Sequence, residues 1–237
     1  MGTSSSSDAY TTELNTLSAE SATPPGPRPC CTPETRPADE ESDDDEVVVT
    51  LQPRRVLQPM LGFGAALTEA SLMVLYRSPT KDQILDDLFL PPAQGGAGIS
   101  CLRIPIGSSD FATEVMGGAF SYQDSAEAEF DASREERLRV PSIKEILRRN
   151  PSIALIATPW SAPAYMKTSG KLQGGSLREE YYEDYCRLLL ETLLFYKRAG
   201  IEFFALTIQN EPYHETPDYP SMVLDPNQQA DLANELM

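Results

Sequence analysis

The sequence is poor in basic residues and contains a single histidine and a single tryptophan. Lysine and arginine together number 19 against 36 aspartates and glutamates, so the 237 residues carry a formal net charge of −17 at pH 7. A nucleic-acid-binding surface needs clustered basic side chains that neutralise phosphates. The shortage of such residues argues against nucleic acid as a partner, and the length suits a single domain.

Long apolar runs are also missing. No stretch reaches the roughly 20 apolar residues of a membrane-spanning helix, so no transmembrane segment is predicted. The first residues, MGTSSSS, lack the apolar core of a secretory signal peptide. They match the loose myristoylation pattern through Gly2 and Ser6, which a serine-rich segment also produces by chance. The sequence therefore leaves the cellular compartment undetermined.

The four cysteines do not form a disulfide framework. Cys30 and Cys31 are adjacent in a proline-rich segment, whereas Cys101 and Cys186 fall in a predicted strand and a predicted helix. Buried free thiols are the expected state of the latter two. No spacing of cysteines and histidines matches a metal site, and we predict neither a metal ion nor a cofactor. The one histidine, His214, is expected to be a solvated loop residue.

Residues 1–46 differ in composition from the rest of the chain. They are rich in serine, threonine and proline and end in the acidic run DEESDDDE at 39–46. Such a segment buries too little apolar surface to offset the entropy that is lost on ordering. We therefore predict a disordered acidic tail over 1–46 and a folded domain over 47–237.

The folded part alternates between predicted strands and helices. Short apolar runs predict strands at 47–51, near Phe63, and at 99–106, 153–158 and 202–208. Helices are expected over 68–76, from Ser78 as N-cap with Ile84, Leu85 and Leu88 facing inward, over 141–149, over 177–199, and from Asp225 to the end. This alternation indicates a parallel sheet with right-handed crossovers.

Glu211 is the candidate catalytic residue. It belongs to the run FFALTIQNEP at 203–212, in which an apolar strand leads into Asn210 and Glu211 and is expected to end at Pro212. Catalytic groups of α/β barrels lie at this C-terminal end of the strands. A half-buried carboxyl group beside an amide is a suitable general acid/base. The alternative is an ordinary polar loop at the end of a strand.

Three further motifs precede this one. Residues 62–70 read GFGAALTEA, residues 102–111 read LRIPIGSSDF, and residues 157–168 read ATPWSAPAYMKT. Together with QNEP at 209–212, and in this order, they resemble glycoside hydrolase family 30. The resemblance extends from about Val47 to the end of the chain. Within the family, the glucosylceramidases, which are acid β-glucosidases, look most similar.

The resemblance implies a (β/α)8 TIM barrel. Strands near Phe63, Leu102, Leu155 and Leu206 account for about four of the eight strands that a closed barrel of ~250 residues needs. We therefore expect the chain to hold about the first four β/α units, which is the N-terminal half of the catalytic domain. Its sheet edges would then be open to association with another chain.

The resemblance also implies a retaining mechanism, in which two carboxyl groups lie about 5–5.5 Å apart. Glu211 would be the acid/base that protonates the leaving oxygen and later deprotonates water. The family's nucleophile is a glutamate at the end of the seventh strand, and no residue of this sequence corresponds to it. Glu69 and Asp110 are the other carboxyls in the matched motifs, and neither has that role in the family.

Five residues are expected, by the resemblance, to contribute to sugar binding. Asn210 would bind the 2-hydroxyl, and Asp110 would accept hydrogen bonds from two neighbouring hydroxyls. Trp160 would present an apolar face to the ring, Arg103 would orient the carboxylates from inside the barrel, and Phe111 completes the set. Ordinary alternatives are a loop turn for Asp110, a core aromatic for Trp160 and a structural ion pair for Arg103.

The expected function is hydrolysis of β-glucosides, with the glycosphingolipid glucosylceramide as the favoured substrate. Another family 30 activity, such as β-1,6-glucanase or xylanase, is an alternative because these residues do not identify the aglycone. A non-catalytic carbohydrate-binding or truncated product is a second alternative, since the nucleophile is missing. Two departures from the family pattern are Ala65 in place of glycine and Tyr165 in place of an aromatic that is often tryptophan. The family is typically lysosomal or secreted.

Overall fold

Four parallel strands form one sheet in the order β1-β2-β3-β4, so each strand pairs with its neighbours in the chain. They are β1 (Gly64–Ala66), β2 (Cys101–Ile106), β3 (Ala154–Pro159) and β4 (Ala205–Leu206). The computed structural model describes residues 58–112, 114 and 117–236. The predicted parallel sheet is confirmed there, whereas the tail over 1–46 and the strand at 47–51 lie outside the described residues.

Six α-helices flank the sheet in the described part of the chain. They are α1 (Glu69–Arg77), α2 (Lys81–Phe89), α3 (Ser133–Arg137), α4 (Arg139–Arg149), α5 (Tyr182–Arg198) and α6 (Pro226–Glu235). Of these helices, none has the length and apolar content to cross a membrane. No helix was predicted where α3 lies, and α4 begins two residues before its predicted start.

The start of α2 differs from the prediction. Ser78 does not cap this helix: its hydroxyl accepts the Thr80 N–H at 3.2 Å in a local turn, and Thr80 is the N-cap. Leu85 is buried as predicted, but Leu88 is exposed and Phe89 is buried in its place. Ile84 is partly buried, so the predicted inward face is wrong only at Leu88, because the packing partners of the helix and not its own periodicity decide which side is covered.

Helix ends elsewhere follow local chemistry. The Asp225 side chain accepts the N–H groups of Asn227 and Gln228, so α6 begins at the predicted cap. At the end of α5, Gly200 adopts the left-handed conformation with φ of 80°. The start of α5 was predicted five residues too early, because the 3-10 turn Glu179–Tyr181 precedes it.

The strand β4 is shorter than predicted. Only Ala205–Leu206 pair within the sheet, although the N–H groups of Phe204 and Thr207 still donate to Leu155 and Ala157 of β3 at 2.8 and 2.9 Å. The strand therefore ends well before residue 212, and the prediction that proline ends it was wrong. The chain between the strand and this proline is instead free to turn at the carboxyl edge of the sheet.

Side chains alternate across the strands and so define two faces. Leu102, Ile104 and Leu155 belong to a buried apolar cluster that also includes residues of α1, α2 and α4. The register pairs Arg103 with Ile156, and Ile156 with Ala205. Arg103, Thr158 and Thr207 consequently share the face away from these helices. That face carries the candidate site.

A buried ion pair lies beneath the end of β2. Glu135 of α3 and Arg139 of α4 form this pair, and each side chain is only 1% exposed. The hydroxyls of Tyr122 and Tyr196 donate to the Glu135 carboxylate at 2.9 and 2.5 Å. Burial lowers the pKa of Arg139, but the charges of Glu135, Tyr196, Tyr122 and Glu69 together outweigh that effect, and the pKa is raised.

The same network fixes the backbone that leaves β2. The Gly107 N–H donates to the Tyr122 hydroxyl at 2.9 Å, and the Gly107 carbonyl accepts from Arg139 at 3.1 Å. Gly107 has φ of 70°, a left-handed conformation that glycine adopts readily. Tyr122 and Arg139 therefore fix the start of the loop that carries Asp110.

The edge beside β1 leads to a prediction about association. An apolar depression of about 780 Å³ lies there, lined in part by Val74, Leu88 and Phe111. Open edges and large exposed apolar patches favour association. We expect the purified chain to run as oligomers in size-exclusion chromatography with light scattering. Val74→Lys should shift it toward monomer.

Leu190 in α5 offers a matched control, because it is 51% exposed against 66% for Val74. Leu190→Lys changes charge and side-chain type in the same way but lies outside the residues that line the depression. A sharp monomer peak from the unmodified chain would contradict the association. An equal response to both substitutions would contradict its assignment to this surface.

Candidate active site

Arg103 of β2 is the centre of a hydrogen-bonded group that joins three strands. Its Nη2 donates to Asn210 Oδ1 at 2.6 Å, and its Nε donates to Thr158 Oγ1 at 3.1 Å. Thr207 Oγ1 donates to the same threonine oxygen at 2.9 Å. The structure thus brings the predicted Arg103 and Asn210 into direct contact. The two threonines were missed, although alternation along the strands places them on the same face.

Trp160 packs against this group. The Arg103 guanidinium lies 4.5 Å from the centroid of the indole ring, within the range of a cation–π contact. The ring is only 4% exposed, so the open apolar face that was expected at the mouth is largely covered. The structure therefore favours the alternative that Trp160 is a core aromatic. Arg103 lies between its ring and Asn210.

Backbone contacts hold the segment that leads to Glu211. The Asn210 N–H donates to the Pro159 carbonyl at 2.8 Å. Gln209 Nε2 donates to the Trp160 carbonyl at 2.7 Å. The end of β3 and the chain after β4 are therefore joined directly, and the orientation of the Asn210 amide follows from contacts on both its backbone and its side chain.

Glu211 is the one non-glycine residue with positive φ in the described ranges, at 44°. The left-handed region costs a residue with a Cβ roughly 1–2 kcal/mol. The His214 N–H donates to the Glu211 carbonyl at 2.8 Å, and Pro212 accepts from the Leu224 N–H at 2.9 Å. These contacts impose the turn. The Glu211 side chain is exposed, not half-buried as predicted, because the turn points away from the packed strand.

Asp110 and Glu211 act on the same neighbours through their charges. Burial lowers the pKa of Arg103, and the two carboxylates, Asp110 before Glu211, oppose that shift. The pKa of Tyr219 is raised by burial and then by the charges of Glu211 and Asp110. Both carboxylates therefore lie within electrostatic range of one guanidinium and one phenol at the carboxyl edge of the sheet.

Tyr219 and His214 form a pair beside these carboxylates. The Tyr219 hydroxyl and His214 Nε2 are 2.9 Å apart, and the rings stack with centroids 5.9 Å apart. His214 is exposed, as expected, but it is not simply solvated. Tyr219 was missed, because no periodic pattern marks the loop in which it lies.

Phe111 and Glu69 occupy other positions. Phe111 is exposed and lines the apolar depression beside β1, so the structure does not place it with the Arg103 group. Glu69 is buried and pairs with Arg134 at 3.1 Å; burial raises its pKa. Across the residues that the structure describes, no three His, Cys, Asp or Glu side chains are grouped so as to hold a metal ion.

The chain belongs to glycosyl hydrolase family 30. Residues 60–235 match the Glycosyl hydrolase family 30 TIM-barrel domain, which is about three quarters of the sequence. The four strands and their helices are accordingly part of a TIM barrel, as predicted. The sequence is 30% identical to the lysosomal acid glucosylceramidase of Mus musculus over 174 residues, which cover 70% of this chain and 33% of that protein.

Solved structures agree with this assignment. SrfJ from Salmonella typhimurium superposes with a TM-score of 0.70 at 36% identity, over 76% of this chain and 40% of that one. The endo-β1,6-glucanase BT3312 superposes with a TM-score of 0.68 at 31% identity, over 77% and 41% respectively. The chain spans about a third of the length of the curated relatives that it matches.

Proposed function

We propose that this chain supplies the acid/base side of a retaining β-glycosidase site. The observation that supports the proposal most directly is the contact of Arg103 with Asn210, one residue before Glu211. This contact gathers the ends of β2, β3 and β4 around one guanidinium. It also leaves the carboxylates of Asp110 and Glu211 close enough to influence that group.

Each residue has a role in the proposal that follows from its contacts. Asn210 accepts from Arg103 through Oδ1, so its NH2 group is the part that can donate to a sugar hydroxyl. Such a bond to the 2-hydroxyl strengthens in the oxocarbenium-like transition state. Asp110, exposed at the end of the β2 loop, would accept from other sugar hydroxyls. Glu211 would protonate the leaving oxygen and then deprotonate water.

The covalent step of a retaining reaction needs a second carboxylate about 5–5.5 Å from the first. The family's nucleophile has no counterpart in the 237 residues. We therefore expect the purified chain alone to show no turnover of p-nitrophenyl β-D-glucoside, measured by release of nitrophenolate. Clear hydrolysis that disappears in Glu211→Gln would show that the chain supplies its own nucleophile.

Glucosylceramide is the substrate that we propose for the complete enzyme, because the curated relatives at 30–33% identity are named glucosylceramidase or putative glucosylceramidase. A specific observation also favours a second candidate. The endo-β1,6-glucanase BT3312 has similar identity and a TM-score of 0.68. The aglycone distinguishes the two, since one substrate carries a lipid and the other a second glucose.

Sugar binding by the chain itself tests the site without turnover. Trp160 is the only tryptophan, so its fluorescence reports on the Arg103 group alone. We expect phenyl 1-thio-β-D-glucoside to change this emission in a saturable way. Asp110→Ala and Asn210→Ala should raise its Kd by about tenfold, the loss of roughly one hydrogen bond to a charged or buried group.

Asp231→Ala is the matched control, because this exposed carboxylate lies on α6 and is not among the charges that act on the pKa of Arg103. It should leave the Kd unchanged. Gentiobiose, a β-1,6-linked glucose disaccharide, and octyl β-D-glucoside then separate the two candidates by which one binds more tightly. A chain that binds neither sugar, with Trp160 emission unaffected, would contradict the proposed site.

A further inference from the structure

Lys167 is a buried cation outside the Arg103 group. It is 2% exposed and lies in the loop after β3. Its Nζ donates three hydrogen bonds, to Ser161 Oγ at 2.8 Å and to the carbonyls of Leu172 and Ser221, each at 2.7 Å. Burial of an ammonium group is costly unless every hydrogen finds an acceptor. A lysine in this place therefore needs a reason.

The number of acceptors around Lys167 Nζ equals the number of hydrogens on an ammonium group. An ammonium group has three hydrogens and no acceptor, and here three oxygens surround it. Methionine has a similar length but no donor, and glutamine has only two. Burial lowers the pKa of Lys167 to about 7, against a smaller opposing effect of Glu215. The three oxygens favour the ammonium form by accepting its hydrogens.

The ammonium group sits where two loops meet. We call residues 160–177 the β3 loop and residues 211–224 the β4 loop. The Ser221 N–H donates to the Leu172 carbonyl at 3.1 Å, and the Val223 N–H donates to the Gly175 carbonyl at 2.9 Å. The Gly174 N–H donates to Ser221 Oγ at 3.0 Å. Lys167 is the one charged donor in this junction among the hydrogen bonds of the described residues.

Both ends of the junction lead to the candidate site. Ser161, which accepts from Lys167, follows Trp160 directly in the chain. Ser221, whose carbonyl accepts from the same ammonium, lies two residues after Tyr219. The loop that contains Tyr219 also contains Glu211 and the turn closed by His214. A displacement at Lys167 would therefore move the two walls of the site relative to each other.

We propose that Lys167 is a positioning residue that sets the β4 loop against the β3 loop and thereby determines how tightly the site binds a sugar. This proposal rests on the proposed function for its sugar, but its effect on the loops does not. Lys167 acts through Ser161 on Trp160 and through Ser221 on Tyr219. It does not touch the substrate.

The test compares Lys167→Gln and Lys167→Met with Lys171→Met. Lys171 is an exposed lysine of the same loop. Its substitution removes the same charge but leaves the junction of the two loops intact. Three quantities are measured for each variant: the emission maximum of Trp160, the hydrogen exchange of the 219–224 amides, and the Kd for phenyl 1-thio-β-D-glucoside.

We expect Lys167→Met to shift the Trp160 emission to longer wavelength and to speed exchange of the 219–224 amides. It should also weaken sugar binding by about tenfold, which corresponds to the loss of roughly one hydrogen bond to the sugar. Lys167→Gln should fall between wild type and Lys167→Met, because two of three donors remain. Lys171→Met should match wild type in all three quantities.

A purely structural lysine predicts a different result. In that case Lys167→Met lowers the thermal stability but leaves the emission, the exchange and the Kd of the folded fraction at wild-type values, and the proposal is overturned. If Lys167→Met does not fold, Ser161→Ala removes one acceptor while keeping the lysine. Unchanged emission and exchange in that variant would overturn the proposal equally.

Failure of the proposed function gives a separate pattern. Wild type would then bind no thioglucoside, yet emission and exchange would still respond to Lys167→Met and not to Lys171→Met. That outcome supports Lys167 as the residue that positions the two loops, and it contradicts the proposal that the site binds a sugar.

Discussion

In a complete family 30 enzyme that contains this chain, Glu211→Ala should slow the cleavage of glucosides with poor leaving groups by about 10²–10⁴-fold. An alkoxide such as that of ceramide departs only when it is protonated, and the variant lacks the acid. A dinitrophenolate departs without protonation, so dinitrophenyl β-D-glucoside should lose much less in the glycosylation step. The measurement is kcat/KM for alkyl, nitrophenyl and dinitrophenyl glucosides.

Azide provides the second half of this experiment. With the general base missing, water attacks the glycosyl-enzyme slowly, whereas azide needs no deprotonation. Added azide should therefore raise kcat of Glu211→Ala on the dinitrophenyl substrate and yield β-glucosyl azide. The same addition should do nothing for wild type.

Asp110→Ala and Trp160→Ala are the comparison variants. The first lies within electrostatic range of Arg103 and the second packs on it, and neither has a proposed part in proton transfer. Both should lower kcat/KM for good and poor leaving groups by similar factors, because Asp110 would bind the sugar and Trp160 supports Arg103, and neither acts on the leaving group. If Glu211→Ala shows that same uniform loss and no response to azide, Glu211 is not the acid/base.

Loss of the buried charge on Glu135 should have the largest effect on stability. Glu135→Gln removes the ion-pair partner of the buried Arg139, leaves only the weaker influence of Glu69, and disrupts the acceptor of two tyrosine hydroxyls. Breaking one partner of a buried pair costs about 3–5 kcal/mol. The free energy of unfolding, measured by urea titration with far-UV circular dichroism, should fall by this amount.

The adjacent residue supplies the control. Glu136 is exposed on the same short helix, so Glu136→Gln changes the same charge in solvent and should alter the free energy of unfolding by less than about 0.5 kcal/mol. Because Arg139 and Tyr122 hold Gly107, the Glu135 variant should also weaken sugar binding through the Asp110 loop. A Glu135→Gln chain as stable as Glu136→Gln would show that the pair contributes little.

Sequence reasoning was most successful where the determinants are local. Apolar runs located the four strands of the described residues, and the Asp225–Pro226 pair located the start of α6. It was less successful at helix boundaries, since Ser78 proved to stabilise a turn before α2 and not the helix itself. The inward face of that helix depends on partners distant in the chain, which a periodic pattern does not contain.

The candidate site divides in the same way. The motifs placed Arg103 inside the second strand and Trp160, Asn210 and Glu211 at the ends of the next two, and the contact of Arg103 with Asn210 follows from a parallel sheet. Phe111 has a similar place in its motif, yet it faces the apolar depression beside β1. The alternation of side chains along a strand predicts which face of the sheet each one occupies. It does not predict the direction of a side chain in the loop that follows the last paired residue.

By itself, the sequence determined the parallel sheet, the family, and the place of Arg103 inside a strand. These depend on hydrophobic alternation and on motifs of neighbouring residues. Only the tertiary structure decided the exposure and left-handed turn of Glu211, the burial of Trp160, the pairing of Tyr219 with His214, and the three acceptors around Lys167. Each of these results from loops that meet across the carboxyl edge of the sheet, where hydrogen bonds between residues far apart in the chain outweigh local preference.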